Sequence, residues 1–374
     1  MKYSLGSLRI PALLLMVTFS FALLIWGCSD SGSPLAPQDD QSGQFDVDKS
    51  AGSPSVRAVM AIQDRHTPGL MADPDVIGTA TTFTEAGEPA ILLLVLNERA
   101  RAAAPQRIDG VPVQTMITDR IVAVGKPPSG GTDPKAKQTP PIQLGTSGGW
   151  RYDLANGYCC GGTLGALIQV GGQLRILSNY HVFEADIVSG GNSRVASTGD
   201  PVIQPGLIDV GCNATQAQDV ATLVVTHSLP NSNVDCSSAT IISGMVDPSG
   251  AILGIGTLSS STVGAYVDQP VKKSGRTTGL TRSKVSGLNA SVSIAYDNEC
   301  AGGAAFTKTF TGQILITNRA SKFLAGGDSG SLMVEDVTTS PRAVGLLFAG
   351  SSSIAVANPI NEVLGFLNGS MVGN

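Results

Sequence analysis

Gly327-Asp328-Ser329-Gly330-Ser331 decides how this chain reads, because Ser178-Asn179-Tyr180-His181-Val182 lies upstream of it. A serine hydroxyl is a poor nucleophile at neutral pH until a neighbouring base takes its proton. The chain holds only three histidines, so few residues qualify as that base. Glycine on both sides of the Asp328-Ser329 pair suits a tight turn that presents the hydroxyl. His181 follows the β-prone run Arg175-Ile176-Leu177 and precedes Val182-Phe183. That pattern predicts a strand end, where a sheet holds the imidazole rigidly. His66 lies beside Pro68-Gly69 and His227 before Pro230, which reads as two surface or structural histidines.

Outward from these motifs, composition bounds the fold. Forty-five glycines and 21 prolines in 374 residues, with 14% charged residues, predict many turns and short strands rather than long helices. From Trp150 onward, β-prone runs alternate with glycine-rich turns: 164–170, 174–178, 220–225, 251–258, 285–295, 313–317, 332–334 and 343–348. Strands at that spacing predict an all-β barrel or sandwich, closed by a helix over 361–367. Residues 53–125 read instead as a small α+β unit. Val56, Val59, Met60 and Gln63 follow a helical period that Thr67-Pro68-Gly69 ends. Strands over 76–83, 90–96 and 111–124 and a short helix over 99–104 follow. Residues 126–149 are rich in Pro, Gly, Ser and Thr and read as a linker before a domain over 150–370.

Lys2 and Arg9 followed by the apolar run from Ala12 to Trp26 read as an export signal over residues 1–27. The polar residues 28–52 read as a flexible tether. Leu24-Ile25-Trp26-Gly27-Cys28 resembles a bacterial lipobox, which implies a lipid on Cys28 and a membrane as partner. The expected location is the cell envelope, at the outer membrane or cell surface, with plain secretion as the alternative. Export makes disulfides expected among Cys159, Cys160, Cys212, Cys236 and Cys300, with one thiol left over and the pairing open. With no C-x-x-C pair and no Cys/His cluster at zinc spacing, neither a metal site nor a cofactor is expected. Net charge is −5 without a dense Lys/Arg run, which argues against a nucleic-acid partner.

The His181-Val182 and Gly327–Gly330 segments together resemble the trypsin-like (chymotrypsin-fold) serine peptidases, in particular a bacterial secreted subgroup, over residues 149–369. The resemblance implies a mainly β molecule: a double β-barrel, here preceded by the small α+β unit. It implies Ser329 as nucleophile, His181 as base, and the N–H groups of Gly327 and Ser329 as oxyanion hole. Two aspartates compete for the third position. Asp219-Val220-Ala221-Thr222-Leu223 looks like one form of the family's acid segment. Val234-Asp235-Cys236-Ser237-Ser238 resembles the form in the bacterial subgroup, departing from it at Cys236 and Ser237. The separations of Asp235 from His181 and Ser329 suit one barrel followed by another better than those of Asp219.

Further segments carry the same resemblance. Lys273-Ser274-Gly275-Arg276-Thr277-Thr278-Gly279 is similar to a run that opens the second barrel in that subgroup; its glycines fit turns, and Arg276 suits pairing with a carboxylate. Val344–Gly350 corresponds to the strand beside the specificity pocket, so Phe348, Ala349 and Gly350 are the expected backbone partners of substrate. The pocket base falls on Phe323; without an acidic residue there, a small or apolar residue before the scissile bond is expected. Arg120-Ile121-Val122 looks like a trypsinogen activation site whose freed Ile121 amine would pair with Asp328, yet it reads equally as the end of a strand. The implied activity is serine endopeptidase action on peptides or proteins through an acyl-enzyme. A catalytically silent trypsin-fold module that binds peptide or protein at the cell surface is the alternative.

Overall fold

Short apolar runs punctuated by glycine cannot bury themselves as helices; they do so as sheets that curl and cover their own edges. The computed structural model describes residues 47–122, 133–155, 158–184, 195–296 and 306–374. The expected export signal, Cys28, most of the tether and Cys300 lie outside them. The chain is mainly β, with two curled sheets and few helices.

Among the described residues, an eight-stranded sheet runs in the order Gly369–Met371, Ala166–Val170, Gln173–Ser178, Ser237–Ile241, Gln218–Val224, Pro201–Gln204, Thr146–Trp150 and Gly162–Leu164. A ten-stranded sheet starts Pro270–Gly275, Leu332–Glu335, Ala343–Gly350, Ile354–Pro359, Phe306–Thr317 and Gly279–Tyr296. Pro270–Gly275 pairs with Gly279–Tyr296 as well, so these six strands close into a ring. The run expected over 285–295 is the far half of that long strand.

The N-terminal residues form the expected α+β elements, except that the strand expected over 111–124 ends at Ile117, and their sheet is not separate. Val76–Phe83 pairs antiparallel with the outer edge of Gly279–Tyr296, Gly78 facing Val292 and Thr81 facing Leu288. Pro89–Val95, Val111–Ile117 and Arg107–Ile108 extend the sheet from there. Residues 47–374 form one compact unit. The apolar pattern of Ile91-Leu92-Leu93-Leu94 shows why: Leu92 and Leu94 pack toward Phe310 and Val292, while Ile91 and Leu93 pack with Val59 of the first helix. Both faces of this strand are covered, as in a sheet interior.

Three expectations need correction. Residues 133–149 are not linker: Ile142 and Leu144 are fully buried in the first barrel's core, and Thr146–Trp150 is one of its strands. Residues 251–258 form turns, with an Ile252–Gly256 bridge, instead of a strand. The first helix spans Pro54–Leu70 with Pro68 inside it. Tertiary anchors outweigh the proline there: the buried Gln63 amide donates to Asn289 O (2.8 Å) and Thr79 Oγ1 (3.1 Å), and Thr67 Oγ1 contacts Thr79 Oγ1 at 2.7 Å. A disulfide joins Cys159 to Cys212, Cys160 is also disulfide-bonded, and Cys236 is a buried free thiol.

Candidate active site

His181 sits in the short helix Tyr180–Phe183, directly after the strand Gln173–Ser178. That strand pairs antiparallel with Ser237–Ile241, Ser178 facing Ser237, and this register carries Asp235 to the base of the helix. Asp235 is completely buried. Its Oδ1 accepts the Tyr180 N–H at 2.7 Å and the His181 N–H at 3.4 Å. Its Oδ2 lies 2.7 Å from His181 Nδ1 and accepts the Tyr296 hydroxyl at 2.8 Å. An ionised carboxylate only accepts, so Nδ1 carries the proton and Nε2 is left as the basic nitrogen. Asn179 Nδ2 donates to the Asp235 carbonyl at 2.7 Å, and Asn358 Oδ1 accepts the Asp235 N–H at 2.9 Å, which fixes the backbone as well.

Asp219 is not part of this cluster. It opens the strand Gln218–Val224, is 41% exposed and pairs with Arg151. His66 contacts Asp109 at the surface, and the His227 side chain is exposed, as the sequence predicts.

The Gly327–Ser331 loop is clamped between the two sheets. Thr163 N–H donates to Ser329 O at 2.8 Å, Gly330 N–H to Leu347 O at 3.0 Å, and Leu347 N–H to Ser331 O at 3.1 Å. Gly330 is in the left-handed region (φ 89°), and a Cβ there would overlap Ser178 Oγ and the Thr163 carbonyl. That close approach puts the strand bearing His181 against the loop bearing Ser329, so glycine is required at this place. The facing strand, expected over 164–170, is interrupted at Gly165 where the Gly330 carbonyl presses on it.

Ser329 Oγ donates to Phe348 O at 3.4 Å, a long bond. Among the described residues no hydrogen bond joins Ser329 to His181. Ground-state catalytic hydrogen bonds are often loose before substrate is bound. The N–H groups of Gly327 and Ser329 donate to no acceptor among the described residues. An N–H of a serine and one of the residue two before it, with no acceptor among the described residues, can serve a developing oxyanion, and donors of that kind are worth about 3 kcal/mol each.

Asp328 faces away from the cluster. Its carboxylate accepts N–H groups of Thr277 (2.8 Å), Thr278 (3.1 Å) and Ala325 (3.0 Å), and the Lys273 ammonium lies 3.1 Å from it. Both side chains of that ion pair are fully buried. Desolvation draws the Lys273 ammonium below its ordinary range, and Asp328 opposes that shift. The acceptor expected for a freed Ile121 amine is therefore already occupied. Arg276 pairs with Asp209, its Nε 2.7 Å from Oδ2, so the Lys273–Gly279 segment braces the loop from below.

Phe323 does not form an open pocket base; it is buried in the core of the second barrel with Leu324, Met333 and Val344. The cavity next to Gly350, of about 230 Å³, is lined by Leu324, Ala325 and Gly326. Phe348 and Ala349 are buried in the cluster that also holds Tyr180 and Tyr296.

Sequence reasoning missed Tyr296. It ends the long strand Gly279–Tyr296, its ring meets the His181 ring edge-on at 5.9 Å, and it stacks on Phe306 at 4.8 Å. Burial raises its phenol well above the usual value, and the Asp235 charge adds to that, so the hydroxyl is a proton donor at neutral pH. No spacing rule links a strand-end tyrosine to an aspartate in another sheet.

No family model matches the chain, and no curated protein matches it. Solved structures of bacterial serine proteases do match. A glutamic acid-specific serine protease that uses a histidine triad in substrate binding is 19% identical, with 62% of this chain and 100% of that one covered, at a TM-score of 0.41. Thermobifida fusca protease A is 21% identical over 57% of this chain and 92% of its own, at 0.39. Cellulomonas bogoriensis chymotrypsin is 18% identical over 62% and 99%, at 0.38.

Proposed function

We propose that this chain is an exported serine endopeptidase of trypsin-like type. The observation that supports the reading is a buried Asp235–His181 pair after the strand that Gly330 presses against, together with Ser329, whose N–H and that of Gly327 donate to no acceptor among the described residues. In this mechanism Ser329 attacks the scissile carbonyl. His181 Nε2 takes its proton and returns it to the leaving amine, and Asp235 holds the tautomer and stabilises the imidazolium. The N–H groups of Gly327 and Ser329 receive the oxyanion. Water, activated by the same histidine, then releases the acyl group. Residues 1–27 are read as the export signal and Cys28 as the lipid-bearing first residue of the mature chain. Among the described residues no helix is long and apolar enough to cross a membrane. Intact-mass analysis of the native N-terminus tests the anchor: a first residue other than Cys28, without acyl mass, refutes it.

The test of the chemistry is labelling by a fluorophosphonate, followed by mapping of the modified residue. Label on Ser329, abolished in Ser329→Ala together with a loss of several orders of magnitude in peptide hydrolysis, is the expected result, because triad members act as a unit. One observation favours the silent binding module instead: the Ser329 hydroxyl rests on Phe348 O, unbonded to His181. A chain that binds peptide but takes no label and hydrolyses nothing would establish that second reading.

A further inference from the structure

The strand Ala343–Gly350 offers its backbone edge beside Ser329, and that edge is already taken. On one side Gly350 faces Ala355 of the next strand. On the other it forms an antiparallel bridge with Val122. Val122 N–H donates to Gly350 O at 3.0 Å, and Gly350 N–H donates to Val122 O at 2.9 Å. The bridge does not stand alone. Thr118 Oγ1 meets Ser351 Oγ at 2.6 Å, and Ser352 Oγ donates to Asp119 Oδ2 at 2.5 Å. Ala295 N–H donates to Ile121 O at 3.1 Å. The Ile121 side chain is buried in the cluster that holds Tyr180, Tyr296 and Phe348. Asp119, Arg120 and Val122 line the cavity together with Leu324, Ala325 and Gly326.

Extended peptides bind sheet edges as an added strand, through main-chain hydrogen bonds. A reciprocal pair of bonds to Gly350 is one rung of such a ladder. The direction also fits: antiparallel to Ala343–Gly350, a peptide in this register reaches Phe348 two residues after the one facing Gly350. The Phe348 carbonyl is the one that receives the Ser329 hydroxyl. The residues before Val122 lie toward Ser352, on the side away from the nucleophile. A bound substrate would have the same sense.

We propose that residues 118–122 occupy the substrate strand of this site, as an internal competitor that an extended peptide must displace. The inference rests on the peptidase reading and names its regulation. The occupant is covalently joined to the site it fills, so its effective concentration is of the millimolar order for a short tether, and an outside peptide competes against that. Anchoring comes from the N-terminal sheet: Val111–Ile117 leads into the segment, and that sheet is hydrogen-bonded to Gly279–Tyr296 through Val76–Phe83. The N-terminal unit thereby acts as a holder for one short strand. Reading Arg120-Ile121 as an activation bond is replaced by reading Ile121-Val122 as bound backbone.

The test separates substrates that need the strand from those that do not. In the full chain, Val122→Pro removes the N–H that donates to Gly350. Hydrolysis of an internally quenched apolar octapeptide should rise about tenfold in kcat/KM, the worth of one or two lost hydrogen bonds. Fluorophosphonate labelling of Ser329, which needs no strand pairing, should change less than about twofold, whereas a merely structural defect would lower both. Peptide turnover that is unchanged or lower in the folded variant overturns the proposal. A second measurement needs no substitution: a peptidyl phosphonate long enough to reach Gly350 is attached to Ser329 in the wild-type chain, and amide hydrogen exchange is followed over residues 118–122. Faster exchange after capture is expected; unchanged protection overturns the proposal even if the proline variant does not fold. No labelling of Ser329 in either chain sinks the peptidase reading and the inference with it, an outcome distinct from labelling without competition.

Discussion

Two buried aspartates stand beside His181 and Ser329, and they are held by opposite means. Asp235, beside the eight-stranded sheet, is surrounded by neutral donors: the Tyr180 N–H, the Tyr296 hydroxyl and the His181 ring. Asp328, in the loop before Ser329, is matched by the Lys273 ammonium as well as three N–H groups. A carboxylate already neutralised by a cation has little field left to offer. One stabilised by dipoles alone keeps its charge directed at the imidazole, where a positive charge develops during proton transfer. Under the proposed mechanism the difference suits Asp235 to the imidazole and Asp328 to holding a loop in shape.

Substitutions can break that contrast. The largest effect is expected from Asp235→Asn, which keeps the shape but favours the wrong histidine tautomer; kcat should fall by about 10⁴, with circular dichroism unchanged. A fall of less than tenfold would return the role to another acid. Lys273→Met should act on the other side of the comparison, on stability. It leaves the Asp328 charge buried without its cation, at a cost of about 3–5 kcal/mol, read as a lower denaturation midpoint in urea. Lys273→Met combined with Asp328→Asn should recover most of that loss, which a purely steric effect of the methionine would not.

Tyr296→Phe sharpens the contrast by removing one neutral donor. A loss of about tenfold in kcat/KM is expected, in line with one hydrogen bond to a charged group. The same variant has a pH signature. The folded-state phenol is raised above the unfolded value of about 10, so its contribution to stability is complete below that pH and is lost as the pH rises toward the folded value. Urea midpoints measured across that alkaline range should fall with a shallower slope in the phenylalanine variant. Asp219→Asn should do least. It removes a partly exposed pair with Arg151, and activity should stay within about twofold because surface pairs contribute about 0–1 kcal/mol. Loss of activity in Asp219→Asn with Asp235→Asn active would overturn the whole assignment.

Much of the site was legible as local chemistry. Gly330 is where the sequence predicts a tight turn, and its φ of 89° bears that reading on the backbone. The resemblance of Val234-Asp235-Cys236 to the subgroup's acid segment prefers Asp235 over Asp219, and the structure puts Asp235, not Asp219, against His181. The composition of residues 126–149 misled. Gln143 and Thr146 look like linker residues, but Gln138 ties them together through its side chain, and Ile142 and Leu144 supply two apolar positions for a core. Polar residues that bond one another inside a fold are indistinguishable, in one dimension, from polar residues that face water.

The sequence by itself determined the turn around Ser329, the strand preceding His181 and the mainly β class. Each of these depends on residues adjacent in the chain, where steric freedom and alternation act directly. Only the tertiary structure decided that Tyr296 reaches Asp235, that Lys273 neutralises Asp328, and that Val122 lies against Gly350. The last joins residues more than half the chain apart. Such contacts are set by strand register and by which edge is left open, and a sheet edge accepts any backbone that reaches it in the right direction, whatever its side chains.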